Sequence, residues 1–308
     1  TEPYLGILLS YNSKTFDENS SDLIKINPTK VDNDKIKISF YGAGNYATAT
    51  LIPLMKDSGK VSFNGLVTST GMSAQSVAKK FDFSYCASDY KEILNDKNDV
   101  VAITTRHDTH SKAICDALAA NKNVYVEKPL ALSVSELEDI HKAYTDNAKS
   151  QIMVGFNRRF APSTNEIIQH FESVKSPLVI NIRVNAGFIP ADHWTQDAQE
   201  GGGRMIGEGC HFIDLASAIT KSNVKTIYAV GSSKEEKSAL LNDNLCLSLT
   251  FENGSIANIT YTADGSKAMS KEYIEVFGGG RSAQIKDFNK ILLFDGDKKI
   301  KDKKIGTQ

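Results

Sequence analysis

Residues 36–56 constrain this chain more than any other stretch. The apolar run Ile36-Lys37-Ile38-Ser39-Phe40-Tyr41 leads directly into Gly42-Ala43-Gly44-Asn45-Tyr46-Ala47, and a helical pattern runs from Asn45 to Lys56. In a strand, Gly-x-Gly-x-x-Ala, helix unit, the first glycine permits a tight turn and the second lets backbone approach a pyrophosphate. The alanine allows close packing of helix on strand. The helix N-terminus then faces the anion, so Gly42, Gly44, Asn45, Tyr46 and Ala47 read as the cradle of a dinucleotide. Pro53 lies inside the helical run, lacks an N–H, and is expected to kink it.

A βα alternation continues for about a hundred residues. Strands are expected over Val61–Val67, Asp99–Thr104, up to Glu127, and over Gln151–Phe156. Between them lie helices marked by the Ala74, Val77, Phe81 stripe, by Asp89 with Glu92 as a capping box, by Ala113–Ala120, and by Ser133 with Glu136 as a second box for a helix through Ala148. Alternation of this kind implies a parallel, doubly wound sheet. Beyond about residue 176 the texture turns β-rich, over Leu178–Val184, Thr226–Val230, Leu245–Phe251, Ser255–Thr262 and Tyr273–Phe277. Asn253-Gly254 is expected as a type I′ turn and Asp295-Gly296 as a second hairpin turn. One helix, from about Arg204 to Ile219, interrupts this antiparallel region. The fold class is therefore an N-terminal Rossmann sheet over 35–158 and a C-terminal domain over 159–308 on an open, mainly antiparallel sheet. Residues 1–34, with one apolar run from Leu5 to Leu9, read as a linker or tail.

The strand Asn123-Val124-Tyr125-Val126 ends in Glu127-Lys128-Pro129. The ligand crevice of an open α/β sheet lies at the carboxyl ends of its strands. Lys128 therefore points toward whatever the glycine turn holds and is the first catalytic candidate.

With these pieces in hand, the chain resembles the Gfo/Idh/MocA oxidoreductases over nearly all of residues 36–308. The resemblance rests on the Gly42 turn, Thr105 and His110 in the fourth-strand loop, Glu127-Lys128-Pro129, Gly155-Phe156-Asn157-Arg158-Arg159-Phe160, Gly201-Gly202-Gly203 and Gly209-x-His211-x-x-Asp214. It implies a Rossmann domain joined to an open sheet whose face carries the substrate site, with Lys128 and His211 flanking the reacting carbon. Thr68, Ser69, Thr105, Arg106, His110 and Glu127 would complete the cofactor contacts, and the open sheet would pair copies into a homo-oligomer. Hydride transfer at a carbon bearing oxygen needs a group that exchanges the hydroxyl proton. A lysine by the cofactor and a histidine suit that work.

The chain also departs from the family. An aspartate usually stands four residues before the histidine, where it can orient the imidazole, and here that position is Gly207. Glu208 and Asp214 lie three residues to either side of His211 and could share its face, so Glu208 joins the catalytic candidates beside a solvated or salt-bridged alternative. Arg106 and His107 stand where Pro-Asn is common. The second-strand tip, Thr68-Ser69-Thr70-Gly71, offers neither the acid that grips the ribose of NAD nor the arginine that suits NADP; NAD is kept ahead of NADP.

For substrate, the run Asn185–Trp194 holds the only tryptophan. An aromatic face with carboxylate and imidazole partners suits a carbohydrate, which nominates Asp192, His193 and Trp194. Arg158 and Arg159 could clamp a phosphate or carboxylate, or one of them could be structural at the domain junction.

Composition excludes more than it selects. With 36 basic and 37 acidic residues and a formal net charge of −1, nothing favours nucleic acid or an anionic membrane. No stretch reads as a transmembrane helix or signal peptide. Cys86, Cys115, Cys210 and Cys246 lack pairing or zinc spacing, which suits a reducing cytoplasm. His107, Asp108 and His110 read as an ordinary loop rather than a metal site, and Lys298–Lys304 as a solvated hairpin arm. Leu5–Tyr11 and Gly207–Asp214 resemble family members preceded by a zinc-type alcohol dehydrogenase module and associated with surface polysaccharide synthesis, and relatives continue past the position of Gln308 in a helical tail. Three functions fit: an NAD(P)-dependent dehydrogenase acting on a sugar, sugar acid or nucleotide sugar; a redox-neutral eliminase or hydrolase using tightly held NAD; and a non-catalytic NAD-binding module.

Overall fold

The computed structural model describes residues 23–27, 34–68, 71–232 and 243–305. The Leu5–Leu9 run, Ser69 and Thr70 lie outside the described residues.

The first sheet has seven strands: β1 (Ile24–Lys25), β2 (Ile36–Tyr41), β3 (Val61–Val67), β4 (Tyr85–Ala87), β5 (Val100–Ile103), β6 (Asn123–Val126) and β7 (Ile152–Val154). Their spatial order is β1-β4-β3-β2-β5-β6-β7. All neighbours pair in parallel except β1, which adds antiparallel to β4. That edge strand is absent from the reading of residues 1–34 as a linker or tail. The chain reverses its winding between β2 and β5, so the carboxyl ends of these two strands frame a crevice. Two apolar clusters cover the faces of the sheet. One is centred on Phe40, Leu66 and Phe83, the other on Ile93, Ile114 and Leu118.

The helices of this half are α1 (Ile52–Asp57), α2 (Gly71–Phe81), α3 (Lys91–Asn95), α4 (His110–Ala119) and α5 (Val134–Asp146). Ser133 caps α5 by accepting from Glu136 N at 3.2 Å, while the Glu136 carboxylate takes Leu132 N. The Asp89 box does not form: its carboxylate accepts from Lys91 N and Glu92 N bonds to its backbone carbonyl. Ahead of α1 the chain makes a π-turn over Ala47–Leu51. The kink expected from Pro53 takes this form, a widened turn just before the residue that cannot donate.

The second sheet comprises β8 (Val179–Asn185), β9 (Val224–Gly231), β10 (Leu245–Phe251), β11 (Ile256–Thr262), β12 (Glu272–Gly278), β13 (Arg281–Lys286), β14 (Lys290–Asp295) and β15 (Lys298–Lys304). Its order is β15-β14-β13-β12-β8-β11-β10-β9, antiparallel except for the parallel pair of β8 with β11. Alternate residues of the central strands face α6 (Pro162–His170) and α7 (Cys210–Thr220), where Ile180, Ile182, Leu249, Ile259 and Val276 close over Phe212, Leu215 and Ile167. Among the described residues, the alternate positions on the other face, such as Cys246, Ser248, Thr250 and Asn258, are exposed. The Asn253-Gly254 turn differs from the type I′ expectation: Gly254 has φ +84° but Asn253 is not left-handed, and Asn253 Oδ1 instead accepts from Ser255 N. The lysine-rich β15 is an edge strand, and its charge discourages further pairing.

Candidate active site

The crevice between β2 and β5 depends on a backbone approach that only glycine allows. Gly42 has φ +103°, and a Cβ there would lie 2.7 Å from the carbonyl carbon and oxygen of Thr104. The two βα loops can therefore touch, with Thr104 Oγ1 donating to Gly42 O at 2.9 Å. Gly44 is different, since a Cβ there meets nothing within 4 Å. Its open side faces a cleft of about 1190 Å³ that also takes in Asn45, Tyr46, Ala47, Thr68, Thr105, Arg106, Glu127 and Lys128. An empty space at the second glycine, beside the first turn of a helix, fits a pyrophosphate. Ser88 and Asn157 line the same cleft. Neither was among the expected contacts, since Ser88 follows the short strand β4 and Asn157 sits in a turn.

His110 does not reach this cleft. It is fully buried, its Nδ1 lies 2.7 Å from Pro129 O and its Nε2 3.3 Å from Thr105 O. It ties the β5 loop to the segment after β6, and so positions Thr105 and Lys128 instead of touching a ligand. Glu127 is held from behind by Tyr125, whose hydroxyl donates to Oε1 at 2.6 Å. Gly155 makes room for that pair, because a Cβ there would stand 2.7 Å from Glu127 Oε1.

At the inner end of the cleft the two domains meet. Lys128 Nζ donates to the carbonyl of Gly207 at 2.9 Å. Gly207 lies in a second π-turn, Met205–Gly209, which precedes α7. Lys128, Arg158, Trp194, His107 and His211 line both the large cleft and a smaller cavity of about 230 Å³ closed by Arg204, Gly207 and Glu208.

His211 is 4% exposed, edge-on to Phe156, and its Nδ1 is sealed without a partner among the described residues. Burial, with Arg158 and Lys128 nearby, pushes its pKa down to about 2. The imidazole is neutral at physiological pH. An unfolded histidine takes a proton near pH ~6.5, so the fold refuses a proton that the unfolded chain accepts. This site's contribution to stability is present above about pH 6.5 and is withdrawn as pH falls below it. Accordingly, the ring resonances of His211 followed by NMR from about pH 8 to about pH 5 should show no titration; a midpoint near ~6.5 would contradict the burial argument.

Glu208 does not orient His211. It receives Arg204 Nη2 at 2.8 Å, the Tyr261 hydroxyl at 2.6 Å and Lys271 Nζ at 2.6 Å. Burial alone would raise its pKa, but Lys271, Tyr261 and Arg204 together bring it down to about 2. The expectation fails because Glu208 lies inside the π-turn, where residues are not spaced as on an α-helical wheel. Asp214 is also committed elsewhere, to Arg159, whose Nε donates to its Oδ2 at 2.9 Å.

That ion pair removes Arg159 from the list of substrate contacts; it is a junction residue. Arg158 does line the cleft, braced by Glu272, which accepts from its Nη2 at 2.5 Å. Trp194 lines both cavities, edge-on to His107 at 4.8 Å with the Arg106 guanidinium 5.4 Å from its ring. Arg106 reaches Glu200 in an ion pair across the cleft. Asp192 and His193 are exposed and line neither cavity. His193 instead caps the short turn Trp194–Gln196 by accepting from Thr195 N. His107 and Arg204, like Ser88 and Asn157, line the site without being expected there. A second histidine in the loop after β5 was the available signal for the first.

Among the described residues, no group of three His, Cys, Asp or Glu side chains is placed to hold a metal, and no helix is long and apolar enough to cross a membrane.

A Rossmann sheet with an open glycine cradle, joined at a lysine to a mainly antiparallel sheet, defines a two-domain dinucleotide-binding protein. The chain belongs to the Gfo/Idh/MocA family: residues 36–156 match the model of the oxidoreductase family with an NAD-binding Rossmann fold, and residues 176–283 match the family's C-terminal domain. It is 30% identical over 218 residues to the uncharacterized oxidoreductase YrbE of Bacillus subtilis, covering 68% of this chain and 62% of that protein. It is 33% identical over 144 residues to the inositol 2-dehydrogenase of Salmonella typhimurium, covering 46% and 41%. The chain thus spans about two fifths to three fifths of the length of these relatives. Among solved structures, levoglucosan dehydrogenase in complex with NADH and levoglucosan superposes with a TM-score of 0.77 at 18% identity, covering 89% of this chain and 80% of that one. An aldose-aldose oxidoreductase from Caulobacter crescentus gives 0.76 at 19%, covering 89% and 84%. At these identities the likeness is one of fold.

Proposed function

We propose that this chain is an NAD-dependent dehydrogenase that oxidises a carbinol of a small polyol or sugar, or reduces the corresponding carbonyl. The observation that carries the reading is a single cleft running from the open space at Gly44 to Lys128, His107 and His211. NAD would supply the hydride acceptor when bound; Gly42, Gly44, Asn45, Tyr46, Ala47, Thr68 and Thr105 would hold it, with the boundary between binding and substrate domains near residue 158. The chain's own groups do the rest. Lys128 presents a charged donor to the substrate oxygen, Arg158 and Trp194 wall the substrate, and the Arg106–Glu200 pair narrows the entrance. The relatives named for inositol support a polyhydroxylated ring as substrate class. The exposed face of the second sheet is the surface through which copies would pair.

Gly44→Val tests the cofactor half. No protein atom lies where the new Cβ would stand, so the melting temperature should hold while the affinity for NAD, measured by calorimetry, drops at least about tenfold, or ~1.4 kcal/mol. Unchanged affinity would remove the cradle from the proposal. The catalytic half is tested by NADH formation from myo-inositol and a panel of sugars, with NADP run in parallel. Tightly held NAD that never changes net redox state would point instead to redox-neutral chemistry.

A further inference from the structure

We propose that His107 is the hydrogen-bond acceptor for the reacting hydroxyl, in a site where position 207 has no side chain to serve. The inference rests on the dehydrogenase reading above and adds a residue to it. Three observations support it. A Cβ on Gly207 would lie 3.1 Å from His107 Cε1, so the imidazole fills the space that a side chain at 207 would enter. His107 Nδ1 lies 2.8 Å from the carbonyl of Gly201. A carbonyl only accepts, so the proton is on Nδ1 and Nε2 carries a bare lone pair. Among the described residues nothing bonds to that Nε2, in a ring that lines both cavities with Lys128 and His211.

The contrast with His211 decides between the two histidines. An imidazole serves as acceptor or base only when its tautomer and ring orientation are fixed. His211 Nδ1 has no partner to fix it, whereas His107 is anchored through Gly201 and packed against Trp194. In the oxidation, the carbinol loses a hydride to the nicotinamide of NAD, which is reduced. The hydroxyl proton moves along the hydrogen bond to His107 Nε2 and then to solvent, leaving a carbonyl whose oxygen faces Lys128. Burial favours the neutral ring, so the lone pair is available at neutral pH.

The test is a double-mutant cycle of His107→Asn, Gly207→Asp and the pair, read by NADH formation from myo-inositol and D-glucose, by melting temperature and by NAD affinity. His107→Asn should lower kcat about 100-fold with NAD affinity held within about twofold. Gly207→Asp should lower both kcat and melting temperature, because the new side chain meets His107. Combining them should restore the melting temperature and raise kcat at least about tenfold over the weaker single variant. A His107→Asn enzyme with wild-type kcat, or a pair no better than its parts, would overturn the proposal. Should the wild-type chain bind NAD and oxidise neither probe, the dehydrogenase reading fails on its own. His107 is then judged by ¹⁵N NMR: a ring protonated on Nδ1 whose Nε2 resonance moves when myo-inositol is added supports the acceptor, and a proton on Nε2 or an unmoved resonance removes it.

Discussion

Replacing Lys128 with methionine should cost turnover between about 100-fold and 10,000-fold, the range expected for loss of a positioned proton donor, while NAD affinity changes by less than about twofold. Methionine keeps much of the lysine's length and removes only the charged donor. In the free protein that donor is spent on the Gly207 carbonyl at 2.9 Å, a contact that substrate oxygen can share because the ammonium has three protons. Loss of kcat with intact cofactor binding would separate a role in the reaction from a role in assembling the cleft. An unaffected kcat would overturn the mechanism, and a matching collapse of NAD affinity would reassign the lysine to cofactor binding.

The second large effect falls on stability. Glu208→Ala should destabilise the fold by about 3 kcal/mol, the lower end of what breaking one partner of a buried pair costs, because it takes the carboxylate away from Arg204, which is 4% exposed, and from the Tyr261 hydroxyl. Urea denaturation is the measurement, and a loss under ~1 kcal/mol would place the pair among weakly coupled surface bridges. The pH dependence follows from the lowered pKa. Glu208 is about 2 in the fold against ~4.3 unfolded, so its contribution is complete above about pH 4.3 and is lost as pH falls toward 2. Glu208→Gln should flatten acid unfolding in that window and reduce turnover far less than Lys128→Met.

Much of the binding half was legible because its determinants are local. A glycine that must adopt φ +103°, strand Val61–Val67 and the Ser133 cap are each written in a few adjacent residues. The site residues of the second domain were less so. The distance in sequence from Glu208 to His211 says nothing of two of its three partners, Tyr261 on β11 and Lys271 just before β12, which are more than fifty residues away. Arg159 and His193 carried the right chemistry and were consumed by Asp214 and by a local cap. The two π-turns defeat a helical wheel, since a register shift of one residue leaves no mark in hydrophobic spacing.

The contact of Lys128 with residue 207 is made to a peptide carbonyl, and every amino acid brings the same one. The lysine's seat is thus indifferent to mutation at the position it touches. Residue 207 can lack a side chain, as it does here, and still supply the carbonyl that anchors Lys128. A designer seeking new substrates has the same freedom: positions 107 and 207 can be varied together as one volume, with the charged end of Lys128 held in place by a partner that selection cannot remove.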